Sequence, residues 1–500
     1  MNHWLLRMWT LAVLAMAIGA GSLFAQEDTT AATDSSWNFE FPAVTLDGPV
    51  HRVAVAPNGD IYIGGEFTKV NDITVNRIAK WNGTTWSALG TGIPGGSVHA
   101  IAFSGNDVYI GGNFVTAGSV SANNIARWNG SQWSYLGKRE NEQGLDPTVT
   151  DILFIGNTMY VAGSFLYGGN NDLLNRIARW NSSERIFVPL EGELTRGLDD
   201  TVFAMVAQGG KIYVGGKFPN AGGATAARVA VWDTEAETWS NLGNGLGNVG
   251  SSDAYATTLA VKDSILYVGG SFSFAGGRSA KNVAKWNIPN GTWSALIAAT
   301  GGNGVDSVPT AMTVDAEGHL YIGGGFMKAA LTDASRIAKW DNENRRWSAL
   351  ASGLDGIPYS LAPQGKFLYV GGAFTKAGDK SSPYLARWYD SVLTAPEDTS
   401  TDTSTVGVIV LADNAASTLT AAPNPANGST TISFTLVRAG ECVIDIRNVQ
   451  GETVATLVNE RLGAGPYNLR WNTAGIPDGI YFCRLHCGDV IQTTKLVLMR

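Results

Sequence analysis

The sequence predicts an all-β chain: a seven-bladed β-propeller closed by an N-terminal strand, followed by a small C-terminal β-sandwich. Three observations carry this. One motif, an aliphatic-Tyr-aliphatic run with a glycine pair and a Phe, recurs seven times between Ile61 and Trp388, the third copy carrying Ala162 in place of the first glycine. Its tyrosines, Tyr62, Tyr109, Tyr160, Tyr213, Tyr267, Tyr321 and Tyr369, lie about fifty residues apart, the length of a four-stranded blade. The tryptophans concentrate at two repeat positions, one holding Trp81, Trp128, Trp180, Trp232, Trp286, Trp340 and Trp388, the other Trp86, Trp133, Trp239, Trp293 and Trp347. Side chains of that size recurring at fixed places are core material rather than a ligand platform.

Each element follows from local chemistry. Residues 1–25 place Arg7 ahead of an apolar stretch from Leu11 to Ile18 and end in Ser22-Leu23-Phe24-Ala25, the pattern of a cleaved secretory signal. Within a repeat, Val50-His51-Arg52-Val53-Ala54-Val55 is the first strand and Asn58-Gly59 turns into the second, Ile61 to Phe67. After a loop, Arg77-Ile78-Ala79-Lys80-Trp81 is the third strand; Asn82-Gly83, both tolerant of positive φ, turns into the fourth, Trp86-Ser87-Ala88-Leu89. The in-strand glycines mark places where a neighbouring blade comes too close for a Cβ. The seventh repeat stops after Trp388. Its missing strand lies at the N-terminus, because Trp37-Asn38-Phe39-Glu40 followed by Leu46-Asp47-Gly48 matches Trp347-Ser348-Ala349-Leu350 followed by Leu354-Asp355-Gly356. Joining the two removes the open edges a linear array would leave. The propeller is therefore assigned to 36–390, a Thr/Ser/Asp-rich linker to 391–420 and a separate β domain to 421–500.

Net charge is −8 with a pI near 5.3, which excludes a nucleic-acid partner of the basic-patch kind. After the signal no apolar run is long enough to span a bilayer. All three cysteines fall in the last domain. Cys483 and Cys487 sit four apart on one strand, about 13 Å between Cα atoms, too far to bond to each other. Cys442 can pair with either. A metal site built from Cys483, His486 and Cys487 is poor, since strand alternation turns His486 away from both. A propeller without Cys cannot hold a Cys-Tyr copper radical centre, and no Gly-x-Ser-x-Gly elbow, sialidase-type Asp box or zinc helix signature is present.

The C-terminal residues carry a specific resemblance. Pro423-Asn424-Pro425, Thr430-Thr431-Ile432-Ser433-Phe434, Val443-Ile444-Asp445-Ile446 leading to Gly451, Trp471, Gly479-Ile480-Tyr481-Phe482 and Lys495-Leu496-Val497-Leu498 together resemble a type IX secretion C-terminal sorting domain. Arg447-Asn448 departs from the aromatic-then-acidic pair usual there. The resemblance implies contact with the type IX machinery through 421–500 and passage across the outer membrane of a Gram-negative bacterium. It also implies removal of this domain, with release or attachment at the cell surface. The Gly-Leu-Asp, Tyr-x-Gly-Gly-x-Phe and Ala-Lys/Arg-Trp-Asn repeats resemble kelch-type and cortical polarity-marker-type propellers, a scaffold that serves unrelated functions.

Three sets of residues are candidates for chemistry. Asp47, Asp146, Asp199, Asp306 and Asp355 recur in the turn before the first strand. A partial ring of carboxylates could hold a hard cation such as calcium; the plainer expectation is that each accepts hydrogen bonds from its own turn. A basic residue precedes the third-strand Trp in six repeats (Lys80, Arg127, Arg179, Lys285, Lys339, Arg387); on a common surface these could recognise an acidic polysaccharide, and the plainer expectation is that each lies over the neighbouring fourth-strand Trp. His51 and His99 occupy equivalent places in the first two repeats and, with Asp47, form the one candidate acid–base or metal cluster of the propeller. The residue between the glycine pair and the Phe varies from repeat to repeat (Glu66, Asn113, Ser164, Lys217, Ser271, Gly325, Ala373), as does the loop after it. Fixed strands with varied loops describe a recognition surface. The expectation is a non-catalytic scaffold at the cell surface or released, binding a glycan or protein through the Asp turns, Glu66, Asn113 and Lys217. The alternative is an extracellular carbohydrate-active enzyme, a lyase or hydrolase, centred on His51, His99 and Asp47, and a third reading is a structural spacer.

Overall fold

The computed structural model describes residues 33–390, apart from 40, 140–142, 170, 192–196 and 252, and most of 416–498. The expected signal peptide and nearly all of the linker lie outside the described residues. Apart from one 3-10 turn at Asp34–Ser36, the regular elements are all strands.

Residues 50–389 form seven main antiparallel sheets, six of four strands and one of three, each a meander in chain order, with small two- or three-stranded sheets in the loops between them. The first strands, Val50–Val55, Ser97–Ser104, Val149–Ile155, Val202–Gln208, Tyr255–Lys262, Pro309–Val314 and Ile357–Gln364, each pack on the next, and the seventh packs on the first. The first glycine of each motif explains how closely they approach. A Cβ on Gly64 would meet Val98 of the second sheet at 2.5 Å, and one on Gly371 would meet Val50 of the first sheet at 2.6 Å.

The seventh sheet is completed from the N-terminus, as the repeat arithmetic requires. Trp37 bridges Trp388, is fully buried, and donates its indole N–H to the Leu350 carbonyl of the preceding sheet at 3.2 Å. Trp133 makes the same bond to Leu89, and Trp293 to Leu242. Trp37 is thus the outer-strand tryptophan of the seventh sheet. Asn38 is tied to Ser382 and Arg387, and Asp34 to Ser352, fixing the segment further.

A second tie between sheets is less visible in the sequence. Just before each third strand a residue adopts a left-handed backbone: Arg77, Asn124, Arg176, Arg228, Asn282, Arg336 and Tyr384, with φ between 62° and 79°. Five of these reach a carbonyl in the turn that leads to the next sheet, as Arg77 does with Ile93, Pro94 and Gly96, and Asn282 with Val305.

The basic residues beside the third-strand tryptophans depart from expectation. Lys80 pairs with Asp60 (3.1 Å), Arg127 with Asp107 (2.6 Å) and Arg179 with Glu237 (2.7 Å), while Lys339 lies over Tyr321 and Arg387 over Phe41 and Phe367. Strand alternation explains it: Lys80 stands opposite Tyr62, whereas its neighbour Trp81 faces the other way.

The C-terminal region is two sheets, of three and four strands, around a core that includes Ile432, Phe434, Ile444, Ile446, Trp471 and Leu485. Its first strand, Ala416–Ala422, begins inside the stretch expected to be linker; the alternating Thr-rich run there suits a pleated edge. Cys442 is disulfide-bonded and stands opposite Cys487 in the strand register. Cys483 is a free, buried thiol whose pKa burial pushes up to about 12, as expected of an inert core cysteine.

Candidate functional site

In an antiparallel meander the turn before the first strand and the loop between second and third strands emerge at the same end. The Asp turns and the varied loops therefore share one face of the ring, here the loop face, and the two tight hairpins of each sheet share the other. Among the described residues of the ring, ten of eleven exposed large apolar side chains lie on the loop face, including Val115, Leu166, Val249, Ile297, Met327 and Leu331. Exposed apolar surface is thus concentrated on the loop face.

At its centre every first strand carries a β-bulge. The register slips at Val50/Arg52, Val98/Ala100, Val149/Asp151, Val202/Ala204, Ala256/Thr258, Pro309/Ala311 and Pro358/Ser360. The extra residues are His51, His99, Thr150, Phe203, Thr257, Thr310 and Tyr359, the position at which the repeats diverge. Bulges re-aim side chains. Here they turn seven of them around the mouth of the ring.

Those side chains divide into two kinds. Thr150, Thr257 and Thr310 donate their hydroxyls to the next sheet, to the carbonyls of Val202, Pro309 and Pro358 (2.7, 2.5 and 2.5 Å). Tyr359, His51 and His99, from the seventh, first and second sheets, instead form a continuous row of rings. Tyr359 stacks on His51 at 5.3 Å and 27°, and His51 lies 4.8 Å from His99. His51 Nε2 donates to Glu66 at 3.1 Å, and His99 Nε2 shares a 2.8 Å hydrogen bond with the Ser97 hydroxyl. Burial, reinforced by the neighbouring His51 and Arg52 and opposed by Glu66, depresses the His99 pKa to about 4, so its ring is neutral at physiological pH. Beyond them, Lys217 sits over Phe203 and Tyr255 at 5.8 and 5.7 Å.

Beneath the mouth a buried ion pair crosses the first four sheets. Arg52 meets Asp151 at 2.5 Å and donates to the His99 carbonyl, while Asp151 accepts the Met205 and Ile152 N–H groups. Burial raises the Asp151 pKa, against the pull of Arg52.

The predicted cluster of His51, His99 and Asp47 is corrected by this geometry. The two histidines meet, but the Asp47 carboxylate is turned to its own sheet's loop, accepting from Thr68 N–H (2.7 Å), Lys69 N–H (2.9 Å) and the Thr68 hydroxyl. Glu66 takes its place beside His51. Asp355 repeats the clamp with Thr375 and Lys376, Asp306 with Met327 and Lys328, and Asp199 with Asn220. Burial raises the Asp47 and Asp355 pKa values, yet these donors outweigh it and leave both lowered. The donors come from the loop after the Phe rather than the Asp turn itself. Asp146 contributes its carbonyl to Leu166 N–H in the same arrangement. Asn113, exposed, and Lys217 sit on the same rim as Glu66.

Among the described residues, one group of three His, Cys, Asp or Glu residues comes within 4.8 Å: Asp315, Glu317 and His319, on a hairpin of the opposite face. There Asp315 binds both the N–H and Nδ1 of His319, closing its own turn.

Residues 420–499 match the secretion system C-terminal sorting domain family. The chain is a type IX secretion cargo. It is exported to the outer surface of a Gram-negative bacterium, and among its described residues no helix is long and apolar enough to cross a membrane. Residues 56–82 match a family described as a β-propeller domain of unknown function. A polarized growth protein from a Phoma species is 23% identical over 219 residues, covering 43% of this chain and 16% of that protein. The chain thus spans about one sixth of that relative's length. Two solved structures from Porphyromonas gingivalis share 12% identity: PorZ, a surface component of the type IX secretion system (88% of this chain, 64% of PorZ, TM-score 0.33), and latent dimeric PorU (80% and 33%, TM-score 0.16). At those scores neither likeness bears on the argument.

Proposed function

We propose that the seven sheets are the blades of one kelch-like ring, assigned to 36–390, which is carried outward by its sorting domain and binds an extracellular glycan or protein without turning it over. The observation that carries this reading is the division of labour between the faces. Residues that repeat are consumed in ties between strands and sheets, while those that vary, with most of the exposed apolar side chains, gather on the loop face. Binding needs such a surface; catalysis needs a few unlike groups converging on one atom. The Asp turns serve this face by holding its loops in place.

The test is binding of the purified mature chain to an array of glycans and to surface proteins, with and without calcium. Leu331→Asp combined with Val249→Asp should weaken binding to any partner that spans the face. Asp199→Ala and Asp306→Ala should weaken it equally in both calcium conditions, through loss of loop order. A calcium-dependent loss would turn the carboxylates into ligands, and indifference to every loop-face change would end the reading.

A specific observation favours a second reading, the extracellular carbohydrate-active enzyme. Ser97 with neutral His99, and His51 with Glu66, are two hydrogen-bonded pairs of the kind that move protons. It requires turnover that disappears in His51→Ala or His99→Ala while the fold persists.

A further inference from the structure

The mouth of the ring contains an aromatic pair that is already filled and another that is open. In the fourth sheet the residue between the glycine pair and the Phe is Lys217, and its ammonium covers Phe203, the bulge residue of that sheet, together with Tyr255. A cation over ring faces within 6 Å is drawn by their quadrupoles. In the seventh sheet the bulge residue is Tyr359, also aromatic; where Phe203 meets Tyr255 edge to face, it stacks on His51. The rim positions that could cover it are Ala373 in its own sheet and Gly325 in the sheet before, and neither side chain can reach across a ring. The next rim position is Glu66, whose side chain is 55% exposed and is held at the edge of the row by His51. Where the fourth sheet lays Lys217 over its rings, the seventh and first present stacked rings with the Glu66 carboxylate beside them.

We infer that the Tyr359–His51–Glu66 corner is a binding site for a ligand ammonium group, carried by a free-amine sugar residue of an extracellular glycan. The ammonium sits where Lys217 Nζ sits in the fourth sheet, with Tyr359 beneath it and Glu66 as its counter-ion. The remainder of the pyranose lies along the row over His51 towards His99. An amino sugar fits better than a lysine side chain because the row continues for a further ring beyond the cation position. This inference rests on the loop face being a binding surface and assigns one part of it.

The experiment compares three probes on the mature chain by calorimetry: chitosan oligomers with free amines, chitin oligomers of the same length with those amines acetylated, and a poly-lysine peptide. Chitosan should bind and chitin should not. Glu66→Gln, which removes the charge and keeps the shape, should lose about tenfold in affinity, the scale of one charge-assisted hydrogen bond. Tyr359→Thr, which installs the residue other sheets carry at this bulge, should lose a comparable factor with the fold intact. Equal binding of chitin, or an unchanged affinity in Glu66→Gln, would overturn the ammonium site. Preference for poly-lysine would overturn the sugar and point to a protein partner. If chitosan fails while another array ligand is lost in the Leu331/Val249 double variant, the ammonium site falls and the binding face stands.

Discussion

Sheets three, five and six put the same backbone device to a different use from sheets seven, one and two. Each first strand bulges by one residue near the mouth of the ring. In sheets three, five and six that residue is a threonine, and its hydroxyl is spent on the carbonyl just before the next sheet's bulge. In sheets seven, one and two it is Tyr359, His51 or His99, whose rings meet one another instead. The bulge therefore does two jobs. Where it carries a short hydroxyl it sews neighbouring sheets together; where it carries a ring, the seam is given up and a surface appears. Stability lost at those three seams must come from elsewhere, and the buried Arg52–Asp151 pair lies directly under them.

That compensation is the place to break the comparison with the largest effect. Asp151→Ala leaves the part-buried Arg52 guanidinium without its carboxylate and strands the Met205 N–H, a loss of about 3 kcal/mol in unfolding free energy. Denaturant titration of the mature chain reads it directly. A change under about 1 kcal/mol would mean that the pair does not compensate for the missing seams.

Acid should act on the ring row and spare the threonine seams. The His99 pKa falls from 6.5 to about 4 on folding, chiefly by burial. A depressed pKa means that its contribution to stability is complete above 6.5 and is lost as pH drops towards 4, where the unfolded chain takes up the proton first. At 1.36 kcal/mol per pKa unit the loss over that window is roughly 3 kcal/mol. His99→Thr should flatten this part of the stability–pH curve. The same slope in the variant would assign the acid sensitivity to other groups.

How much of this could be read from the sequence depends on whether a feature needs one residue type. The blades could be, because glycine alone fits where Gly64 faces Val98, and because Trp37 repeats the surroundings of Trp347. The bulges could not. Histidine, threonine, phenylalanine and tyrosine all occupy them, so the alignment showed a variable position and hid the shared geometry. The left-handed struts escaped for a similar reason, since arginine has no preference for positive φ and is held there by the carbonyls it reaches. The proximity of Asp47 to His51 in sequence suggested a cluster, but the turn between them sends the carboxylate to Thr68. Glu66, fifteen residues on, reaches the histidine because the second strand returns beside the first.

The smallest expected effect sharpens the comparison most. Thr257→Val keeps the shape of the bulge residue and removes one hydroxyl, leaving the Pro309 carbonyl short of a donor, for about 1 kcal/mol. Thr310→Val should match it through the Pro358 carbonyl. Because these seams belong to the scaffold, both variants should bind every ligand of the loop face as the parent does. The reciprocal change, Tyr359→Thr, places a seam residue where a ring now stands, so it should leave stability within about 0.5 kcal/mol of the parent while removing the ring face. Melting curves and binding isotherms on the same three proteins separate the cases. If the threonine variants lost binding and Tyr359→Thr kept it, the division between seam and surface would be reversed, and the contact region would have to be sought on the threonine side of the mouth.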